Sequence, residues 1–192
     1  MLVTNIPCMG ARADRTRERL LTAALELFAQ RGYDGTSAGE IAARAGVTEM
    51  TFFRHFPSKA SLLVDDPYDP LIGAAIRRQP SGLDPISRAA RGVRSAWRQL
   101  PPPSVEEVRV RLRIVAQTPA LRASMVSGTA ATEAVITDAL TTGKTGRREA
   151  MIAAGAVLGA LNTALLDWSL TDGEDLGQAI DAALDVLEDR HG

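Results

Sequence analysis

At 192 residues, with 45% apolar and 4% aromatic content, the chain has room for a small domain joined to a larger one. Its core must come mainly from Ala, Leu, Val and Ile, a composition that leans towards packed helices. The formal net charge of −1 excludes a global attraction to nucleic acid, and the single cysteine, Cys8, excludes an intrachain disulfide.

The N-terminus lacks the charged-then-apolar order of a signal peptide, and residues 1–13 read as a flexible arm. A first helix is predicted over Arg15–Gln30, where Leu20, Leu21, Ala24, Leu27 and Phe28 form one apolar stripe. Arg31-Gly32 ends it, and Tyr33 is placed to pack back on the small core. Thr36 and Ser37 open a second helix, where hydroxyls can cap backbone N–H groups or meet a phosphate. Gly39 within that helix costs about 1 kcal/mol relative to alanine. Ile41, Ala42 and Ala45 keep helical spacing, Gly46 stands where a left-handed cap needs glycine, and Val47 fits the corner. Thr48 then caps a short helix. At about 100° per residue, Phe52 and Phe56 share its inner face, with Met50 and Arg54 opposite, flanked by Thr51 and Phe53. Pro57-Ser58 leads into a further helix start at Lys59. A helix, a turn and a second short helix with a polar outer face suit the major groove of DNA. The positive charge this requires is local: Arg12, Arg15, Arg17 and Arg19 cluster near the start, with Arg31, Arg44, Arg54, His55 and Lys59 further on.

Between Thr16 and Leu63 the motifs RGYDGTS, EIAARAGVT, TFFRHF and PSK follow one helix in order. This stretch resembles the DNA-binding domain of the tetracycline-repressor (TetR) family. The resemblance covers the first third of the chain; the remainder matches in being helical and of suitable length. It implies base-edge contacts at Glu49, Met50 and Thr51, and backbone contacts at Thr36, Ser37, Phe53, Arg54, His55 and Lys59, with Arg12 and Arg15 as candidates on the arm. The chemistry is compatible: a glutamate can accept from the cytosine amine, and Met50 and the Thr51 methyl suit thymine methyls. Phe53 departs from the family's usual tyrosine and lacks its hydroxyl. Arg54 and Lys59 are expected as phosphate partners. His55 has no second histidine nearby, so phosphate contact is favoured over metal binding or catalysis.

After Leu63, Asp65-Asp66-Pro67-Tyr68-Asp69-Pro70 is predicted to stop or kink the chain. The domains are therefore placed at 14–64 and 70–192, with a hinge between them. Helices are predicted from Leu71 to Arg78, from an Asp84-Pro85 start to Leu100, from a Ser104–Glu107 capping box onward, and as one piece from Thr118-Pro119 to Leu140. Gly143-Lys144-Thr145-Gly146 lacks the preceding glycine and strand of a phosphate loop and reads as a turn. The last two helices are predicted over Arg147–Thr171 and Glu174–Arg190. Small residues in the first of them allow close helix approach, and Gly155, Gly159, Ala160, Ala183 and Leu187 are the expected dimer interface. The apolar run Ala150–Leu166 is read as shorter than the ~20 residues of a membrane span.

The expectation is therefore an all-α protein: an N-terminal three-helix, helix-turn-helix domain and a C-terminal helical domain for effector binding and dimerisation. The resemblance implies a cytoplasmic, homodimeric regulator, usually a repressor, that binds a palindromic operator and is released by a small molecule. Arg94, Trp97, Arg111, Gln117, Asn162 and Trp168 are the candidate pocket residues. No catalytic constellation, metal cluster or cofactor motif is present in the sequence. The alternative is a helix-turn-helix module controlled by a protein partner.

Overall fold

The computed structural model describes residues 11–64, 69–99, 105–142 and 145–188, and within them regular structure is helical. The chain divides into two compact units, Met1–Leu63 and Val64–Gly192.

The first unit begins with α1 (Ala11–Arg31). It starts at Ala11 rather than Arg15, so the last residues expected in the arm are helical. No proline or glycine interrupts Ala11–Arg31, and Ala, Arg, Glu and Leu all favour helix. Residues 1–10, with Cys8, lie outside the described residues. Leu20, Ala24, Leu27 and Phe28 are buried, and Tyr33 packs on Phe28 with ring centroids 5.3 Å apart. Then come α2 (Ala38–Arg44), α3 (Glu49–His55) and the short α4 (Ser61–Val64). The α2–α3 turn is set by Gly46 at φ +67, a left-handed conformation that L side chains resist.

The second unit contains α5 (Asp69–Arg77), α6 (Pro85–Gln99), α7 (Val105–Gln117), α8 (Pro119–Gly128), α9 (Ala130–Leu140), α10 (Arg147–Leu170) and α11 (Leu176–Glu188). Of the predicted proline break, residues 65–68 lie outside the described residues. Pro70 sits in the first turn of α5, where a backbone N–H has no intrahelical acceptor to lose. Asp84 caps α6 as predicted, its carboxylate accepting from the N–H groups of Ile86 (3.1 Å) and Ser87 (3.0 Å). The single helix expected over Thr118–Leu140 is two. Gly128 lowers helix propensity, and Thr129, at φ −77 and ψ −9, takes the backbone out of regular helical geometry between them. Ser104 of the expected capping box, and Gly143-Lys144, lie outside the described residues.

Helix α10 packs against α6, α7, α9 and α11. The core joins Ile76, Ala90, Leu112, Ile136, Leu140, Val157, Trp168 and Leu184 among others. Arginines close the helix ends. Arg88 is buried and donates to the Leu140 carbonyl at the end of α9 (3.0 Å). Arg109 and Arg113 donate to the Trp168 and Ser169 carbonyls at the end of α10 (both 2.9 Å), satisfying acceptors that a helix C-terminus leaves without partners. At 24 residues α10 matches the helix expected over Arg147–Thr171 to within one residue. Among the described residues it is the one helix long and apolar enough, by length and composition, to cross a membrane.

Helices α5 and α6 approach closely at Gly92, where a Cβ would stand 2.7 Å from Ile76 Cα and 2.9 Å from its amide nitrogen. Backbone cannot yield as a flexible side chain can. Gly92→Ala is therefore expected to destabilise the second unit by about 2 kcal/mol, an overpacking cost measurable by urea unfolding.

Candidate nucleic-acid interface

The second helix of the first unit opens with a reciprocal cap. The Ser37 hydroxyl accepts from the Glu40 N–H (3.2 Å), and the Glu40 carboxylate accepts from the Ser37 N–H (2.8 Å) and hydroxyl (2.8 Å). These bonds from Ser37, and then the charge of Arg31, hold the Glu40 carboxyl below its usual range. Helix α3 is capped by Thr48, whose hydroxyl accepts from the Thr51 N–H (3.2 Å). Phe52 and Phe56 are buried with ring centroids 5.9 Å apart, each contributing about 2 kcal/mol through burial. This pins the inner face of α3 and turns the other outward. Met50 is 82% exposed and Phe53 48%. Glu49 and Arg54 are exposed and Thr51 is half-buried, its hydroxyl 3.0 Å from that of Thr48. Glu49, Met50, Thr51, Phe53 and Arg54 are thus gathered on one short helix.

The remaining candidates are engaged within the unit. Thr36 is buried and its hydroxyl donates to the Gly32 carbonyl (2.9 Å), so in this conformation it is a turn lock. Ser37 is occupied by its cap. His55 is half-buried, and its carbonyl accepts from Arg17 (3.2 Å). The Lys59 ammonium donates to the carbonyls of Tyr33 and Thr36 (both 2.7 Å) and lies 3.9 Å from the Tyr33 ring centroid. Burial lowers the Lys59 pKa, with Asp34 pulling the other way. The sequence casts Lys59 as a plain phosphate partner; two of its three donors are instead spent on backbone carbonyls.

Two arginines of α1 have roles that sequence reading does not assign. Arg17 lies 4.2 Å from the Phe56 ring centroid while donating to the end of α3. Arg19 donates to the Ala45 carbonyl at the end of α2. Helix α1 therefore holds both helices of the motif by their C-terminal carbonyls. Their i, i+2 spacing gives no periodic signal, since the acceptors are backbone atoms far along the chain.

Residues 20–65 match the family model of bacterial regulatory proteins of the tetR family, and residues 83–192, more than half of the chain, match that of the MftR C-terminal domain. The chain belongs to the TetR family. MftR of Mycobacterium tuberculosis, a putative mycofactocin biosynthesis transcriptional regulator, is 28% identical over 188 residues, covering 93% of this chain and 92% of MftR. The transcriptional regulator TcmR of Streptomyces glaucescens is 33% identical over 116 residues, 57% of this chain; the chain spans about half of TcmR's length (51%). Among solved structures, SmeT, the repressor of a Stenotrophomonas maltophilia multidrug efflux pump, aligns over 93% of this chain and 91% of SmeT, with a TM-score of 0.58 and 20% identity. This TetR-family chain is accordingly a DNA-binding transcriptional regulator of all-α architecture, with a helix-turn-helix unit and a helical second unit.

In that second unit several of the six pocket candidates are already engaged by the chain's own groups. Arg94 is closed by Asp181 (2.8 Å), Asp185 (2.7 Å) and Glu188 (2.8 Å) of α11. Burial works to lower its pKa, and the three carboxylates outweigh that and raise it. Trp168 is fully buried, its indole N–H donating to the Glu174 carbonyl (2.9 Å) under the Arg109 guanidinium (4.0 Å). Gln117 is exposed, Trp97 and Asn162 are half-buried, and the buried Nε of Arg111 has no hydrogen-bond partner among the described residues. Of the interface candidates, Gly155 and Gly159 face outward and Ala160 is half-buried. Ala183 is buried in the unit's own core, and Leu187 packs against it. Val186, 56% exposed, is the large outward apolar residue of α11.

Replacing Lys59 with methionine keeps the stem and removes the donors, leaving two carbonyls without their charged partner. A loss of about 2 kcal/mol in urea unfolding is expected with no DNA present.

Proposed function

We propose that this chain is a ligand-responsive repressor that acts in the cytoplasm, binds an approximately palindromic operator as a homodimer, and is released by a small-molecule effector held in the second unit. The observation that carries the reading is the presentation of α3: five side chains at the family's contact positions gathered on a helix whose inner face is anchored by two buried rings.

The homodimer rests on α10. Its outward side carries Ile152 (65% exposed), Gly155, Gly159, Thr163 and Leu170. A Cβ at Gly155 or Gly159 would meet nothing within 4 Å, so nothing described in the chain's own packing calls for glycine there. Glycine inside a helix costs about 1 kcal/mol relative to alanine. Close approach of a second copy's helix gives both glycines a use, in a bundle with two helices from each subunit. Two-fold symmetry in the protein then calls for two-fold symmetry in the operator.

For the effector, SmeT shares the fold and has been solved as a complex with triclosan. Trp97, Arg111, Gln117 and Asn162 are the pocket candidates without a hydrogen bond or ion pair to another described residue. Release requires that the effector bind the DNA-incompetent state more tightly, and DNA must then weaken effector binding by the same factor.

The test is binding of the purified chain to duplexes spanning its own gene's upstream region, across a salt series. One dimer per site with sequence preference supports the reading; absence of binding at low salt by a folded dimer overturns it. Gly159→Glu places a charge where the chain itself has open space. It is expected to retain full helicity by circular dichroism while sedimenting as a monomer and losing operator affinity at least tenfold. A variant that remains dimeric would place the interface elsewhere.

A further inference from the structure

The chain has five methionines, Met1, Met9, Met50, Met125 and Met151, and the last three fall among the described residues. Met125 is half-buried on α8, and Met151 is 46% exposed on α10. Met50 is 82% exposed near the start of α3. The buried rings of Phe52 and Phe56 occupy the inner face of that helix, so Met50 is turned away from the unit's core. An apolar side chain held this far into water adds nothing to the fold. It gains cover when a partner lies over it, and on the operator reading that partner is a base edge such as a thymine methyl.

A thioether is also a two-electron reductant. Its sulfur attacks one oxygen of a peroxide: the S–O bond forms, the O–O bond breaks, and the departing hydroxide takes up the transferred hydroxyl's proton and leaves as water. Reactivity follows exposure, which puts Met50 ahead of Met151 and Met125. The product is polar and chiral where the thioether was apolar and adaptable. Against a thymine methyl the sulfoxide oxygen loses its water and receives no donor in return. Arg54 stands four residues further on α3, on the same face. It is exposed and makes no hydrogen bond or ion pair with another described residue. A sulfoxide oxygen at position 50 is a new acceptor within reach of that guanidinium, and the bond would draw its charge away from a polyanion.

We propose that Met50 is a reversible oxidation site, through which a peroxide weakens the hold of this chain on its operator. Methionine sulfoxide reductases, one acting on each epimer, return the sulfoxide to the thioether with loss of its oxygen as water. The proposal rests on the reading of the chain as an operator-binding regulator. Cys8, the one thiol in the sequence, has no part in it.

The experiment treats the full-length wild type, M50L and M151L with hydrogen peroxide, then with dithiothreitol, which reverses disulfides and sulfenic acid but leaves methionine sulfoxide. Peptide mass spectrometry measures the sulfoxide at each methionine, circular dichroism checks folding, and fluorescence anisotropy on the upstream duplex measures affinity. In the wild type, Met50 is expected to oxidise first, with affinity falling at least tenfold in step with its sulfoxide. Incubation with both reductases should restore binding. M50L keeps the apolar contact without the reactive sulfur, so peroxide should leave its affinity unchanged, while M151L should lose affinity as the wild type does. Duplex bound before treatment is expected to slow oxidation of Met50 and not of Met151. If oxidised wild type carrying Met50 sulfoxide binds as tightly as untreated protein, the switch is overturned and the operator-binding reading stands. An equal loss of affinity in treated M50L would also overturn it, by placing the sensitive group elsewhere. If untreated wild type binds no duplex, both fall.

Discussion

Helix α3 depends on what grips it, because seven residues are too few to remain helical alone in water. Two kinds of contact supply the grip. Phe52 and Phe56 bury the inner face, and Arg17 and Arg19 of α1 tie down the carbonyl ends of α3 and α2. The first contact is apolar and fixes which face points out. The second is directional and fixes where the helix ends lie. Together they hold a short, weakly helical segment in place, and they make α1 part of what positions α3.

The second unit uses the same device for another purpose. Arg88, Arg109 and Arg113 each satisfy carbonyls at a helix C-terminus. Arg109 also covers the ring of the buried Trp168. These bonds stiffen the ends of α9 and α10, leaving the outward side of α10 free to remain apolar and small. On the dimer proposed above, a helix packed on one side against α6, α7, α9 and α11, and carrying exposed Ile152 and Leu170 on the other, would join the subunit contact to the unit's own core.

How legible each feature is from sequence follows from whether its cause is local. Gly46, Thr48, Ser37 with Glu40, and the Phe52–Phe56 spacing act within a few residues, so the turn, the caps and the orientation of α3 can be read directly. The exposed members of the candidate site, Met50, Phe53 and Arg54, follow from that periodicity. Thr36 and Lys59 do not, because their acceptors are backbone carbonyls whose positions only the fold provides. Arg94 and Trp168 mislead for the same reason: a periodic pattern shows which face a side chain occupies, but not that three carboxylates or a loop carbonyl are already waiting there. The split between α8 and α9 turns on one residue's backbone, below what a hydrophobic pattern resolves.

Charge shows the same division between committed and open groups. The chain is nearly neutral, with a basic beginning and an acidic end. The acidic side chains Asp181, Asp185 and Glu188 are held by Arg94, and Arg91 and Arg98 join them (3.1 and 3.4 Å). Much of the second unit's apparent negative field is therefore cancelled at contact distance. In the first unit, Glu26 and Glu40 neutralise Arg44 and Arg31, while Arg15 and Arg54 pair with no carboxylate among the described residues. Attraction to a polyanion then comes from a few open guanidinium groups acting over roughly 8–10 Å at physiological salt, and not from net charge. On the operator-binding reading proposed above, such a short-ranged field does little until α3 is close to the groove.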